Sequence, residues 1–368
     1  MTVIKNIEFI IDHIDPLGQG VFKKGDDIFF IPKTLPEESG TAEVLKRKKG
    51  VHFAKLSTLE KKSEKRIKPE CEHFDSCQGC HFLHTDYPSE ISFKEKSFKK
   101  MLSYLNLEDI EINTITANNR LHYRNRVQLH YNLTSKKLGF IDGKSNTIVE
   151  IPKCLICNAQ VSKKLKELYK DQKWLSLAPT KPKGHVEIYS TDNGVKVTWN
   201  KSYAEGGFTQ VNEEMNTKMN DLVADHLKTI EPKSLLDLFG GNGNLSNSLI
   251  IKKKIIDIYS TPPSRDHLSI NLFEDNALEL FKSKCADEFD TFIIDPPRAG
   301  FKHISSWVTN YSPESIIYIS CHPQTMIRDL KDLEKSGVLA NYSVEKVYLL
   351  DLFPSTFHFE AMTVLKKK

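Results

Sequence analysis

Long apolar runs are missing from this chain. Nowhere in its 368 residues is there the run of roughly 20 apolar residues that a bilayer-spanning helix needs, and mean hydropathy is −0.41. The opening residues, Met-Thr-Val-Ile-Lys-Asn-Ile-Glu, lack the layout of a signal peptide. A cytoplasmic chain with no membrane role is therefore expected, and its seven cysteines are expected to be reduced. Metal or catalytic roles then prevail over a disulfide framework. The glycine-rich stretch Gly240 to Asn244 carries no Gly-Lys-Ser/Thr and so is not a Walker-type phosphate loop. Nothing in the sequence marks an obligate protein partner.

The chain is long enough for two or three domains. Net charge is only +4 but unevenly spread. Residues 46–68 carry ten Lys/Arg against two Glu. Such a run is either a solvated linker or a phosphate-facing surface whose RNA affinity would fall with salt. Ahead of it, residues 1–58 alternate apolar and polar positions around Ile7, Phe9, Ile11, Val21, Ile28 to Ile31, Ala42 and Val44, with glycine turns between. Short strands at this spacing predict a small antiparallel β-barrel.

Three cysteines follow in close order, Cys71-x5-Cys77-x2-Cys80, and two more much later, Cys154-x2-Cys157. Three thiolates within ten residues converge on one ion without long loop closure, and a fourth must come from a distance. Four thiolates suit tetrahedral zinc or an iron–sulfur cluster, and spacing does not choose. Between these groups, apolar positions from Tyr87 to Leu107 fit one helical face. His122 to Tyr131 reads as a strand with Arg124 and Arg126 on one face. Hairpins are expected through Gly139 to Gly143 and around Asp192-Asn-Gly194, making residues 61–205 a β-rich domain.

The pattern changes after residue 205. A helix is expected through Met215, Met219, Leu222, Val223 and His226, ending by Pro232. Ser234 to Phe239 then reads as a strand, Gly240-Gly-Asn-Gly-Asn244 as a turn and Leu245 to Ile250 as a helix. That unit lets a nucleotide-like ligand approach backbone N–H groups, although an ordinary tight turn has the same composition. Further strands are expected at Ile255 to Tyr259, Phe289 to Ile294 and Ile316 to Ser320. The last two end in Asp295, held by two prolines, and in Cys321. A doubly wound sheet opens its ligand crevice at such strand ends. A carboxylate there is poorly explained by packing, since an unpaired buried charge is costly. A small buried thiol is the bland account of Cys321.

Taken together, these segments resemble the S-adenosylmethionine-dependent RNA uracil-C5 methyltransferases, in the form with an N-terminal TRAM domain and a [4Fe-4S] cluster. The resemblance runs over almost the whole chain. Its carriers are Gly18-Gln-Gly-Val21 and Ile28-Phe-Phe-Ile-Pro-Lys33, the cysteine pattern, Tyr123-Arg-Asn-Arg126, Phe208-Thr-Gln-Val-Asn212 and Leu236-Asp-Leu-Phe-Gly-Gly-Asn-Gly-Asn244. Ile294-Asp-Pro-Pro-Arg-Ala-Gly300, Ile319-Ser-Cys-His-Pro323 and Phe353-Pro-Ser-Thr-Phe-His-Phe-Glu360 complete them.

The resemblance implies three parts: an OB-like TRAM barrel over 1–60 that binds RNA, a β-rich iron–sulfur domain over 61–205, and an α/β Rossmann-like methyltransferase domain over 206–368. The helix near 88–107 would return to the third part. Cys71, Cys77, Cys80 and Cys154 would hold the cluster, and Arg124 and Arg126 would face RNA. Gln210, Phe239, Asn244 and Asp295 would contact the cofactor. Catalysis would fall to Cys321, Glu360 and Asp295. A thiolate adding to C6 makes C5 of uracil nucleophilic, and a base must later remove the C5 proton.

The implied substrate is 23S ribosomal RNA, with the T-loop of transfer RNA as rival. A rival of another class is an RNA-binding iron–sulfur protein with a degenerate methyltransferase domain. Three departures stand out. Tyr259 lies near the position of an acid that holds the cofactor ribose, His322 replaces Asn, and Gly240 replaces a frequent Cys.

Overall fold

The computed structural model describes residues 6–107, 109–142, 146–202, 209–258 and 265–368. Two compact units emerge. One comprises Met1–Ser97, Asn118–Tyr203 and Phe353–Phe357; the other comprises Phe98–Ala117, Ala204–Leu352 and His358–Lys368. Among the described residues, no helix is long and apolar enough to cross a membrane.

The first unit opens with strands β1 (Asn6–Ile10), β2 (His13–Ile14), β3 (Gln19–Lys24), β4 (Asp27–Pro32), β5 (Ser39–Lys48) and β6 (Val51–Lys61), in sheet order β1-β5-β6-β4-β3-β2. Strict alternation turns Ile7, Phe9, Ile11, Phe29, Ile31, Ala42 and Ala54 into one small core. The pairing is not wholly antiparallel as expected. Strand β6 lies between β5 and β4, so the up-down-up order makes it parallel to β4. Lys49 and Gly50, both at positive φ, form the tight turn of the β5–β6 hairpin. Much of the basic run is therefore paired strand rather than linker.

Helix α1 (Tyr87–Leu102) begins in this unit, and strand β7 (Ile112–Ile115) belongs to the other. The second sheet of the first unit takes β8 (Arg126–Asn132), β9 (Lys137–Ile141), β10 (Ile148–Val149), β11 (Lys183–Thr191) and β12 (Gly194–Trp199), in order β10-β9-β8-β11-β12. Its hairpin at Asp192-Asn-Gly194 is as expected. Helices α2 (Ala159–Tyr169) and α3 (Lys173–Leu177) also lie here, in a region expected to be strands. Val161, Leu165 and Leu168 of α2 pack with Trp174, Val127, Leu129 and Ile188. The Asn158 side chain caps α2 by accepting from the Val161 N–H at 2.9 Å.

The second unit is an eight-stranded sheet. Its strands are β7, β13 (Ser234–Leu238), β14 (Lys252–Asp257), β15 (His267–Ser269), β16 (Thr291–Ile294), β17 (Ser315–Ser320), β18 (Tyr342–Leu350) and β19 (Glu360–Lys367). The order is β15-β14-β13-β16-β17-β19-β18-β7, and only β19 runs antiparallel to its neighbours. Helices α4 (Glu213–Ile230), α5 (Ala277–Lys284), α6 (Ile304–Tyr311) and α7 (Pro323–Lys335) accompany it. From Phe98 onward α1 belongs to this unit, where Phe98, Met101, Leu102 and Leu105 join the core.

The helix expected at Leu245 to Ile250 does not form; residues 241–248 are turns. Lys253 Nζ instead takes up the carbonyls of Ser246, Asn247 and Leu249 at 2.7–3.1 Å. Ser246 bonds to Asp237, and Asn247 to the Asn242 carbonyl. Side chains that compete for backbone groups in this way disfavour a helix.

Candidate active site

Strand order reverses between β13 and β16, so the carboxyl ends of β13, β16 and β17 flank the crevice of this doubly wound sheet. Cys321 follows β17 directly. Strand β17 is buried along its full length, which fixes where the thiol emerges. Glu360 begins β19. Ser320 pairs with Ala361 in antiparallel register, so one further step brings Cys321 opposite Glu360. Asp295 follows β16, and its N–H donates to the Leu238 carbonyl at 3.2 Å.

The electrostatics knit these groups together. Burial, then the Glu360 and Asp295 carboxylates, pushes the Cys321 thiol up to about 12, while Arg298 opposes by charge and hydrogen bond. Burial and Asp295 hold Glu360 well above the usual carboxylate range, again against Arg298. Glu360 is 3% exposed, and its Oε2 has no hydrogen-bond partner among the described residues. Burial, then Asp237 and Asp257, raises Asp295 to about 7. The buried Asp237, held by Ser246, rises to about 6. His322 is kept neutral by burial and by the charges of Arg298 and Arg328, and its buried Nδ1 has no partner among the described residues. It does not depress the neighbouring thiol.

The residues expected to touch the cofactor divide. Phe239 follows β13 at φ 63° and packs against Phe273 and Phe301, with ring centroids at 5.5 and 5.0 Å. Gln210 lies two residues before Asn212, which caps α4. Asn244 makes a reciprocal amide pair with Asn216 at 2.8 and 3.0 Å, so its side chain ties the glycine turn to α4. A Cβ on Gly240 would lie 2.6 Å from the Asp237 carboxyl and from Ile255, which leaves no room for a cysteine there.

Three groups were missed from the sequence: Asp237, Arg298 and Asp257. Asp257 closes β14 and accepts from the Gly241 N–H at 3.2 Å. A carboxylate thus stands at the end of the second strand after all, while Tyr259 lies outside the described residues, as do Phe208 and Gly143. The Asp-Pro-Pro-Arg motif was the available signal for Arg298.

Arg124 and Arg126 do not share a strand face as expected. The strand starts at Arg126, because the N–H groups of His122 and Arg124 donate instead to the carbonyls of Leu155 and Ile156. Arg126 is 4% exposed, paired with Glu187 at 3.2 Å and stacked over Tyr189 at 4.5 Å. It does not present a solvent-facing charge. Arg124 Nε donates to the Arg126 carbonyl at 2.8 Å.

Cys71, Cys77 and Cys80 lie in irregular chain ahead of α1, and Cys154 follows β10. Their charges act on one another, and burial is the largest cause raising the first three. A hydrogen bond with Cys157 lowers Cys154 and raises the fully buried Cys157, so Cys154 is the better thiolate of that pair. Four soft donors of this kind suit an iron–sulfur cluster or zinc. As they stand, no three His, Cys, Asp or Glu side chains among the described residues are gathered closely enough to hold an ion.

A family model described as tRNA (Uracil-5-)-methyltransferase matches residues 281–368, the stretch that carries Asp295, Cys321 and Glu360. The 23S rRNA (uracil(1939)-C(5))-methyltransferase RlmD of Shewanella frigidimarina is 28% identical, across 97% of this chain and 94% of that protein. Its counterpart in Shewanella woodyi is 27% identical, across 97% and 95%. Among solved structures, the Pyrococcus abyssi tRNA (uracil-54, C5)-methyltransferase in complex with S-adenosyl-L-homocysteine shares the fold, with a TM-score of 0.69 at 18% identity, covering 98% of this chain and 100% of that one. The strand-end thiol and the facing carboxylate thus coincide with near full-length similarity to RNA uracil-C5 methyltransferases.

Proposed function

We propose that this protein methylates C5 of a uridine in structured RNA, with S-adenosylmethionine as methyl donor and 23S ribosomal RNA as substrate. One observation carries the reading: the β17–β19 register that sets Cys321 opposite Glu360, beside Asp295 and Arg298. The cofactor would supply an electrophilic methyl group on a sulfonium, near Phe239, Gln210, the glycine turn and Asp295.

In the free site the thiol is protonated, since burial among carboxylates disfavours its anion. Arg298 is the cation that offsets this, so it would support the thiolate as its sulfur bonds to C6 of the uracil. The electron pair of the C5–C6 double bond moves toward O4, which makes C5 nucleophilic. C5 then takes the methyl group. Glu360, raised by burial and therefore a strong proton acceptor once ionised, removes the C5 proton. The C5–C6 double bond re-forms and the Cys321 sulfur leaves. The unpartnered Glu360 Oε2 is suited to that proton.

Cys71, Cys77, Cys80 and Cys154 are proposed to hold a [4Fe-4S] cluster with a structural role. The N-terminal sheet is proposed to be a TRAM-type RNA-binding module, and the protein to work in the cytoplasm.

Mass mapping of ribosomal and transfer RNA from cells with and without the protein tests the reading. Loss of one methyl group from a 23S uridine is expected. Loss from a transfer RNA T-loop would assign the rival substrate. Unchanged RNA would favour an RNA-binding protein with an inactive methyltransferase domain.

A further inference from the structure

Helix α7 carries a charge where its pattern calls for an apolar residue. Asp329 is 0% exposed and lies on the buried face of α7 with Met326, Leu330 and Leu333. Asp is a poor helix former, and burying a carboxylate is costly unless it is fully partnered. Its partners come from three segments. Oδ2 accepts from the Phe301 N–H at 2.6 Å and from the Tyr318 hydroxyl of β17 at 2.5 Å. Oδ1 accepts from Arg328 Nε and Nη2 at 3.0 and 2.6 Å. The same Arg328 Nη2 donates to the Ala299 carbonyl at 2.7 Å. Gly300 stands between these tethers at φ 75°, where a Cβ would lie 2.5 Å from Asp329 Oδ2.

These bonds fasten residues 299–301 to α7, the helix that begins two residues after Cys321. Arg298 is the next residue back along that loop. It is the cation whose charge and hydrogen bond oppose the raised proton affinity of the Cys321 thiol. A guanidinium on a loop does this only while it is held close, because the attraction falls with distance and with intervening water. We propose that Asp329 is a positioning residue: with Arg328 and Tyr318 it fastens the Arg298 loop to the segment that bears Cys321 and keeps the guanidinium beside the sulfur. Its role there presupposes Cys321 as the nucleophile of the proposed reaction.

The test is alkylation of the full-length protein by iodoacetamide, without RNA or cofactor, from about pH 7 to 10, read by mass on the peptide that contains Cys321. Only the thiolate reacts, so the rate follows its population. Asp329→Asn should slow the reaction about tenfold at each pH, as Arg298→Ala does, since a close opposite charge moves a pKa by about one unit or more. Losing a negative charge would by itself favour the thiolate, so slowing reports a displaced Arg298. Added to Arg298→Ala, Asp329→Asn should slow the reaction no further. Tyr318→Phe changes no charge and keeps the ring that fills the core. It should slow alkylation roughly threefold or more, and it decides the matter if Asp329→Asn does not fold. Wild-type rates in folded Asp329→Asn, or in Tyr318→Phe where Asp329→Asn fails to fold, would overturn the positioning role. So would equal slowing by Asp329→Asn with and without Arg298, which would leave Asp329 a structural carboxylate. Slowed alkylation in the variants, with no RNA methylation by any form, would sink the enzymatic reading and leave the positioning of Arg298 standing.

Discussion

Cys321 stands opposite Glu360 across the antiparallel pair β17–β19, one step beyond the Ser320–Ala361 partners. The two groups are 39 positions apart, counting from 321 to 360, yet the Glu360 carboxylate raises the thiol's proton affinity, and Asp295 raises that of both. The proposed nucleophile and proton acceptor are thus set by strand register and not by a mobile loop.

Cys321→Ala is expected to bind RNA, form no covalent adduct and lose methylation. Glu360→Gln should add, methylate and stall, because the C5 proton has no acceptor. The stalled species is methylated RNA joined to Cys321, seen as a retarded band on a denaturing gel. Residual methylation by Cys321→Ala would return that thiol to a packing role.

Asp295 and Asp237 give a pH prediction. Both are raised by the fold, to about 7 and about 6, so folding favours their protonated forms. That contribution is fully present below the unfolded value near 3.8 and is lost as pH rises through 6 and 7. Asp295→Asn should therefore raise the melting temperature by a few degrees at pH 8 and confer no gain at pH 4, while abolishing activity. An equal gain at both pH values would exclude ionisation as the cause.

Arg126→Ala should destabilise the protein by about 3–5 kcal/mol, since it removes the cationic partner of the buried Glu187. Because Arg126 is enclosed, the salt slope of RNA binding by the folded fraction should not move. A slope reduced by one contact would restore Arg126 to the RNA surface.

Protein purified anaerobically should be brown and carry about four irons per chain. Cys154→Ala should lose them, and Cys157→Ala should keep them. Stoichiometric zinc without iron would overturn the cluster assignment.

Gly240→Ala should cost about 1–3 kcal/mol, through the close approach of its methyl group to Asp237 and Ile255. It should also raise the KM for S-adenosylmethionine, because the glycine turn must shift. Unchanged stability and KM would show that the turn yields freely.

Much of this was legible because local pattern and chemistry coincide. Alternation placed Ile7, Phe9 and Ile11 in the first core. The buried run Ile316 to Ser320 located β17 and the thiol at its end. Where side chains compete with the backbone, local pattern misled. Leu245 to Ile250 looked helical, but Lys253 captures its carbonyls. Helix α2 was overlooked although its cap and apolar spacing, Asn158 with Val161, Leu165 and Leu168, were both present.

Residue types and their order determined by themselves that a thiol, two carboxylates and a four-cysteine set exist, and that a doubly wound domain follows β-rich ones. Those are properties of strand ends, turns and spacing, which short stretches of chain encode. Only the tertiary structure decided which charges face which partners. Arg126 turned inward to Glu187, Asn244 was taken by Asn216, Asp257 came to the Gly241 N–H, and Arg298 came to the thiol. Such pairings depend on which distant strand arrives alongside and on how much water it displaces, because burial sets the cost of every unpaired charge.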